Sequence, residues 1–217
     1  MIIAIDGPAG AGKTTISSQV AERLGFVRLD TGSLYRAVAL CALQAGYTTQ
    51  TPGLDGLVGS LALGFGKDGV TLDGVSLGDR IRTPEMSQAA SAFSAVPAVR
   101  QGLLELQRRI GRATNSVLDG RDIGTVVFPD AELKIFLTAR PEERARRRHK
   151  EHLDAGRPSN LEDVLKDIEA RDLADSSRAI APLKQAEDAI LVDSSDLTIE
   201  QTISTIVEHA RELMRGD

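Results

Sequence analysis

The most restrictive feature of this sequence is a glycine-rich segment, Gly7–Thr14, that matches the pattern G-x-x-x-x-G-K-[ST] at every fixed position. It follows the short apolar run Ile2–Ile5 and leads into Thr14–Leu24, where apolar residues recur at helical spacing. A glycine-rich turn between a buried strand and a helix can aim several backbone N–H groups at one point, and the helix adds the positive end of its dipole. The segment therefore predicts a site for the phosphates of a nucleotide.

The residues of this phosphate loop have separate predicted roles. We expect Lys13 to reach the β- and γ-phosphates of ATP, and the Thr14 hydroxyl to bind the Mg²⁺ that accompanies ATP. The alternative, a plain glycine-rich turn before a helix, is disfavoured by the complete match and its context. The predicted ATP-binding residues are Gly7, Pro8, Ala9, Gly10, Ala11, Gly12, Lys13, Thr14 and Thr15.

Composition excludes several classes of protein. A net charge of −5 argues against a general nucleic-acid binder, and no apolar run approaches the length of a membrane span. The N-terminus lacks a basic region and meets Asp6 at once, which is not typical of a signal peptide. The single Cys41 cannot form an internal disulfide, as is usual in a reducing compartment. We therefore expect a cytoplasmic protein without a membrane or nucleic-acid partner.

Short apolar runs alternate with amphipathic segments along the chain, which predicts an α/β fold: a five-stranded parallel sheet between helices. The predicted strands are Ile2–Ile5, Phe26–Leu29, Ser116–Asp119, Leu133–Leu137 and Ala189–Val192. The predicted helices are Thr14–Leu24, Ser33–Gln44, one beginning at the Thr83 cap, Pro97–Arg112, Pro141–His152, Leu161–Leu173 and Ile199–Met214.

The segment 48–114 interrupts this alternation. Two apolar stretches, Val70–Leu72 and Val75–Leu77, flank Asp73-Gly74, a dipeptide that favours the tight turn of a β-hairpin. Antiparallel strands do not belong in a parallel sheet, so we interpret this stretch as a small mixed insertion.

Three further segments are more specific than the phosphate loop: Leu29–Arg36 (LDTGSLYR), Asp119–Ala131 (DGRDIGTVVFPDA) and Ser177–Leu183 (SRAIAPL). With Asp6–Lys13, they make nearly the whole chain resemble the bacterial cytidylate kinases, a family of P-loop nucleoside monophosphate kinases. The resemblance implies an enzyme that transfers the γ-phosphoryl of ATP to CMP or dCMP, giving CDP or dCDP and ADP.

The resemblance also implies a division of labour along the chain. It makes about 1–47, 115–140 and 161–217 the core of a single kinase unit, about 48–114 the monophosphate-binding domain, and about 141–160 a mobile lid. The family leans to monomers, so the expected partners are only the small molecules ATP and CMP or dCMP.

The resemblance assigns the reading of cytosine to Ser91, Arg100 and Asp122. Cytosine presents an N4 amino donor and the N3 and O2 acceptors, so a selective pocket needs one acceptor and one or two donors. Asp122 can accept from N4, whereas Arg100 and Ser91 can donate to N3 and O2. Uracil would oppose a carbonyl to the carboxylate, at a cost of roughly 1–3 kcal/mol.

The resemblance places the CMP phosphate on Arg36 and Arg121, which with Lys13 form the predicted catalytic set. It places the ribose near Tyr35, Arg171 and Asp175. It also lets Arg171 and Arg178 reach the phosphates or base, and makes Arg147 and Arg148 the lid arginines. The predicted CMP-binding residues are Thr31, Tyr35, Arg36, Ser91, Arg100, Arg121, Asp122, Arg171, Asp175 and Arg178.

Other interpretations stay open at this point. By spacing alone, Arg171, Asp175 and Arg178 could form a surface ion-pair ladder, and the basic residues 144–150 could form a solvated helix face. Asp30 or Asp119 could hold Mg²⁺ through water, and Asp119 could instead brace the phosphate loop.

Two other functions also stay open. One is another small P-loop kinase that acts on UMP, AMP or a small alcohol such as shikimate. The other is a nucleotide-binding regulator without turnover, which would not need the second phosphate site at Arg36 and Arg121.

Overall fold

The computed structural model describes residues 1–66 and 69–216, which form two compact units. The first unit contains Met1–Arg28 and the chain from Asn115 onward, and the second contains Leu29–Thr114. The second unit begins earlier than the predicted insertion. The predicted division into core, insertion and lid stays a prediction.

The strands are β1 (Ile2–Asp6), β2 (Val27–Asp30), β3 (Leu63–Gly66), β4 (Gly69–Leu72), β5 (Val75–Ser76), β6 (Ser116–Gly120), β7 (Leu133–Thr138) and β8 (Ile190–Asp193). The helices are α1 (Lys13–Leu24), α2 (Thr31–Gln44), α3 (Leu54–Ser60), α4 (Pro84–Ser94), α5 (Pro97–Gly111), α6 (Pro141–Asp154), α7 (Leu161–Ser176) and α8 (Ile199–Arg215).

Five strands form one sheet in the order β2-β6-β1-β7-β8, and β1 pairs in parallel with both β6 and β7. Ile3 and Ile5 of β1 are fully buried and pack against apolar residues of α1 and α8, such as Val20 and Ile206. Helices thus cover the sheet, which explains why its strands are continuous apolar runs. The predicted α/β fold with a five-stranded parallel sheet is confirmed.

The position of β1 decides where a ligand can bind in this unit. Because β1 is the central strand, the segment after Asp6 leaves from the middle of the carboxyl edge of the sheet. Open α/β sheets bind ligands at this edge. The topology therefore places the phosphate loop at the expected binding position.

The second unit contains an antiparallel sheet in the order β3-β4-β5. Asp73 and Gly74 both have positive φ, 51° and 76°, which a primed two-residue turn requires, so the predicted hairpin is confirmed. The helix predicted at Thr83 also forms, and the Thr83 side chain accepts a hydrogen bond from the Met86 N–H. Helix α2 belongs to this unit because it packs against α4 and α5.

Four elements of the described chain were not predicted: α3, β3, the 3₁₀ turn Gly78–Ile81 and the π-helical turn Ile123–Val127. Helix α3 contains Gly56 and Gly59, which obscure its helical periodicity. In the same way, Gly64 and Gly66 weaken the strand signal of β3.

None of the helices in residues 1–66 and 69–216 has the length and apolar character needed to cross a membrane.

The packing of α3 against α5 gives a test of this fold. A Cβ at Gly102 of α5 would lie 2.5 Å from Cγ1 of Val58 in α3, whose χ1 is stiff because the side chain is β-branched. We expect Gly102→Ala to lower the free energy of unfolding by about 1–2 kcal/mol, since the clash outweighs the better helix propensity of alanine. Urea unfolding measures the change.

Gly56→Ala is the matched control, because a Cβ at this helical glycine would meet no atom within 4 Å. It should leave stability unchanged or raise it by up to about 1 kcal/mol. Equal effects of the two substitutions would contradict the described packing of α3 on α5.

Candidate active site

The phosphate loop wraps around the side chain of Lys13. The ammonium donates to the carbonyl oxygens of Gly7 and Pro8 at 2.6 and 2.7 Å, and the residue is buried. A Cβ at Gly7 would lie 1.9 Å from the carbonyl oxygen of Leu137 in β7, so only glycine lets the chain leave β1 here. Gly12, with a φ of 86°, turns the loop into α1.

Lys13 lies in a strongly cationic environment within the first unit. Burial lowers its pKa well below the usual range, and the positive charges of Arg121 and Arg171 lower it further. The carboxylates of Asp119 and Asp6 act in the opposite direction. Lys13 of α1, Arg121 of the turn after β6, and Arg171 of α7 therefore lie in one region. A bound polyphosphate would relieve the repulsion among these three cations.

Asp6, the last residue of β1, fixes the turn that follows β6. Its two carboxylate oxygens accept hydrogen bonds from the backbone N–H groups of Ile123 and Gly124, at 2.8 and 2.7 Å. This turn carries Arg121 and the buried Asp122. Burial raises the pKa of Asp6 to about 6, although the two N–H bonds oppose the shift. The sequence pattern does not predict this role, because nothing in it joins Asp6 to a turn more than a hundred residues away.

Asp119 braces the helix that follows the phosphate loop. Its Oδ1 accepts from the Ser17 hydroxyl at 2.8 Å and from Nε of Arg28 at 3.0 Å. The Ser17 hydroxyl also contacts the Thr14 carbonyl oxygen at 3.2 Å. Of the two roles considered for Asp119, these contacts favour bracing of the loop. The part played by Arg28 was not predicted.

A buried carboxylate organises the arginines of the first unit. Asp175 is 4% exposed and pairs with Nε of Arg121 at 2.8 Å and with Arg178 at 3.2 Å. Burial alone would raise its pKa, but Arg121, Arg178 and Arg171 hold the pKa of Asp175 below its usual value. The alternative of a surface ion-pair ladder is wrong, because Asp175 is buried.

In the second unit, Arg36 is held by the capping residue of α2. Its Nη2 donates to Asp30 Oδ2 at 2.8 Å and to the Ser33 hydroxyl at 2.6 Å, and Asp30 caps the helix by accepting from the Ser33 N–H. Within the described chain, the buried Nε of Arg36 has no hydrogen-bond partner. A guanidinium held on one side, with a further donor to satisfy, suits an anion.

The same unit brings Tyr35 and Arg100 together. The guanidinium carbon of Arg100 lies 5.6 Å from the centre of the Tyr35 ring, and its Nη1 donates to the Ser94 carbonyl oxygen. Arg100 is buried, Thr31 is buried at the start of α2, and Ser91 is half-buried on α4. These residues are therefore fixed by packing.

The two predicted lid arginines lie on α6. Arg147 donates to the carbonyl oxygen and the hydroxyl of Ser194, at 2.6 and 3.0 Å. Arg148 pairs with Glu151 at 3.5 Å. Their roles toward substrate stay predictions.

The pKa of Asp6 gives a prediction about pH. Because the folded protein binds this proton more tightly than the unfolded chain, the contribution of Asp6 to stability falls as pH rises from about 4 to about 6. The carboxyl ¹³C signal of Asp6 should titrate with a midpoint near 6.

In unfolding experiments, the stability of the wild type relative to Asp6→Asn should decline over the same pH interval. A midpoint below 4 would show that the two backbone N–H bonds outweigh burial, and would contradict this description of the turn.

Comparison with known proteins shows similarity to one family of kinases. A family model described as cytidylate kinase matches residues 3–212. The cytidylate kinase of Citrifermentans bemidjiense is 45% identical over 100% of this chain and 96% of the relative. That of Shouchella clausii is 44% identical over 98% and 97%, and that of Bordetella bronchiseptica is 47% identical over 97% and 95%.

Solved structures share the fold at low sequence identity. A shikimate kinase from Bacteroides thetaiotaomicron has a TM-score of 0.50 at 14% identity, over 99% of this chain and 98% of that chain. An uncharacterized protein from Eubacterium ventriosum has a TM-score of 0.54 at 12% identity, over 98% of each chain. These two likenesses concern the fold alone. The family match and the relatives that span nearly the whole sequence show that this chain belongs to the cytidylate kinase family.

Proposed function

We propose that this protein transfers the γ-phosphoryl group of ATP to CMP or dCMP, giving ADP and CDP or dCDP. The observation that carries the proposal is the buried Lys13 ammonium inside the phosphate loop, with the charges of Arg121 and Arg171 beside it. A chain of the cytidylate kinase family with this cationic site has the charge needed to bring a monophosphate next to a triphosphate.

The reaction needs positioning and charge stabilisation more than covalent help. An oxygen of the CMP phosphate attacks the γ-phosphorus in line and the bond to the β–γ bridging oxygen breaks, so that ADP leaves. No general base is required, because the attacking monophosphate is already largely dianionic at pH 7. Lys13 and the lid arginines Arg147 and Arg148 stabilise the charge on the transferred group.

The described residues fit a metal ion carried by the nucleotide. No group of three or more His, Cys, Asp or Glu side chains that could hold a metal occurs in residues 1–66 and 69–216. The exposed Thr14, at the start of α1, offers one hydroxyl ligand, and Mg²⁺ typically takes its other ligands from phosphates and water. When bound, Mg²⁺ would neutralise charge on the β- and γ-phosphates.

The residues that we propose for CMP recognition are those that the family resemblance assigns. Arg36 and Arg121 bind its phosphate, and each is already oriented by a carboxylate, Asp30 and Asp175 respectively. Asp122 and Arg100 read the cytosine edge with Ser91. Thr31, Tyr35, Arg171, Asp175 and Arg178 complete the contacts to CMP.

A panel of acceptors tests the reaction. Initial rates of ADP release should be highest with CMP and dCMP, and much lower with UMP, AMP and shikimate. A higher kcat/KM with AMP or UMP than with CMP would refute the acceptor assignment. ATP binding without acceptor-dependent turnover would instead favour a nucleotide-binding regulator.

The expected monomeric state is tested separately by sedimentation.

Removal of the buried ammonium tests the role of the phosphate loop. We expect Lys13→Ala to lower kcat roughly a thousandfold, since a preorganised charge near the transferred group is lost. The matched control is Lys166→Ala, on an exposed position of α7, which should keep wild-type turnover. A Lys13→Ala enzyme within tenfold of wild type would contradict the proposed mechanism.

Asp122→Asn tests how cytosine is recognised. Because an amide can present a donor where the carboxylate only accepts, kcat/KM for CMP should fall by about ten- to a hundredfold, and the preference for CMP over UMP should shrink. ADP affinity, measured by calorimetry, should not change. Asp130→Asn, an exposed acid of the same segment, is the control. Loss of ADP affinity in Asp122→Asn would indicate that Asp122 acts at the ATP site and would contradict its assignment to CMP.

A further inference from the structure

Arg144 is the one buried arginine of the basic stretch 144–150 in helix α6, with 4% of its surface exposed. Its Nε donates to the Ala139 carbonyl oxygen at 2.8 Å, and its Nη1 donates to the Ala9 carbonyl oxygen at 2.8 Å. Nη1 also pairs with Asp172 Oδ2 at 2.5 Å. The interpretation of the 144–150 stretch as a solvated face is therefore wrong for Arg144.

Asp172 of helix α7 completes the contact with the same loop residue. Its Oδ1 accepts a hydrogen bond from the Ala9 N–H at 3.2 Å, while its Oδ2 pairs with Arg144. Both backbone polar groups of Ala9 are thus bound by one partly buried ion pair, the C=O by the arginine and the N–H by the carboxylate. The orientation of the peptide groups on both sides of Ala9 is fixed as a result.

The neighbouring residue rests on the same two helices. A Cβ at Gly10 would lie 3.2 Å from Cβ of Arg144 and 3.4 Å from Cδ1 of Ile168 in α7. Ile168 belongs to the apolar cluster that joins α6 and α7, with Ala145 and Val164. The glycine-rich side of the phosphate loop is therefore packed against the α6–α7 pair as well as anchored to it by hydrogen bonds.

A loop of this composition needs such support. Gly10 and Gly12 adopt left-handed conformations, with φ of 75° and 86°, and glycine visits many other conformations at little cost. Phosphate binding requires the loop N–H groups to converge before the ligand arrives, because ordering them on binding would reduce affinity. A charged pair that binds both the N–H and the C=O of Ala9 excludes many of the alternative conformations of the loop.

We propose that the ion pair between Arg144 and Asp172 is a positioning clamp: it acts through the backbone of Ala9 to hold the phosphate loop in its binding conformation, and so sets the affinity for ATP and ADP. The inference rests on the proposed function only in taking an adenine nucleotide as the ligand of the loop. Because Arg171 precedes Asp172 on α7, the same helix links this clamp to the proposed CMP site.

Asp172→Asn is the sharpest test, since the amide keeps the size and the acceptor for the Ala9 N–H but loses the charge that holds Arg144. We expect the Kd for ADP, measured by calorimetry, to rise about tenfold, and the Kd for CMP to stay within about twofold. The KM for ATP should rise more than kcat falls. Asp167→Asn, at an exposed position of the same helix, is the control and should bind ADP like the wild type.

Arg144→Lys separates charge from geometry, because an ammonium cannot serve Ala139, Ala9 and Asp172 with the fork of a guanidinium. It should weaken ADP binding to a similar extent. The double variant should be no weaker than either single one, because the two side chains act as one unit. Additive effects would show that they act independently and would overturn the proposal.

The readouts distinguish this clamp from general stabilisation and from a failure of the proposed function. Unchanged ADP affinity in both variants, or equal losses for ADP and CMP that follow a lower unfolding midpoint, would overturn the clamp. If the variants fold poorly, hydrogen exchange in the wild type decides: the Ala9 amide should be protected, and exchange at the rate of an open loop would overturn the proposal. Wild-type protein that binds ADP but does not phosphorylate CMP would refute the proposed function alone.

Discussion

The enclosure of the Lys13 ammonium by the loop that precedes it is the interaction on which the rest of the first unit depends. A buried positive charge is costly unless polar groups surround it, and here the carbonyl oxygens of Gly7 and Pro8 do so. The loop can take this path because β1 is the central strand and because Gly7 passes close to β7. Sheet topology, glycine geometry and a buried charge thus specify the same site.

Buried carboxylates hold the parts of this site in place. Asp6 fixes the turn after β6 through two backbone N–H groups, Asp119 joins β6 to α1 through Ser17, and Asp175 orients Arg121. Each carboxylate is removed from water, which is unfavourable by itself, and each regains stabilisation from hydrogen bonds or a guanidinium. The arrangement fixes the cationic groups before any nucleotide binds, so little reorganisation is needed when charge develops during transfer.

The sequence predicted the fold well because local signals agreed with tertiary structure. The five apolar runs became the five strands, the Asp73-Gly74 turn formed with positive φ, and Thr83 capped its helix. Elements rich in glycine, such as α3, lacked a periodic signal and were missed. Element ends moved by a few residues, as at α6, because helix termini depend on tertiary contacts that a local pattern does not contain.

The sequence predicted the chemistry of the site more completely than its internal supports. The motif and the family resemblance named Lys13, Arg121 and Asp175, and the structure holds these three within one unit. The supporting contacts of Asp6 and Arg144 join residues more than a hundred positions apart, so no spacing rule can find them. Arg144 also has the same residue type as its exposed neighbour Arg146, and only burial distinguishes the two.

We infer that the backbone amides of the phosphate loop, with Lys13, form a preorganised phosphate site. It is tested most directly by titrating ¹⁵N-labelled protein with Mg-ADP and following the amide signals. We predict that the largest shifts occur within Gly7–Thr15, with the Ala9 amide protected before and after binding. Binding of ADP with the signals of Gly10 to Thr14 unchanged and the main shifts elsewhere in the chain would contradict it.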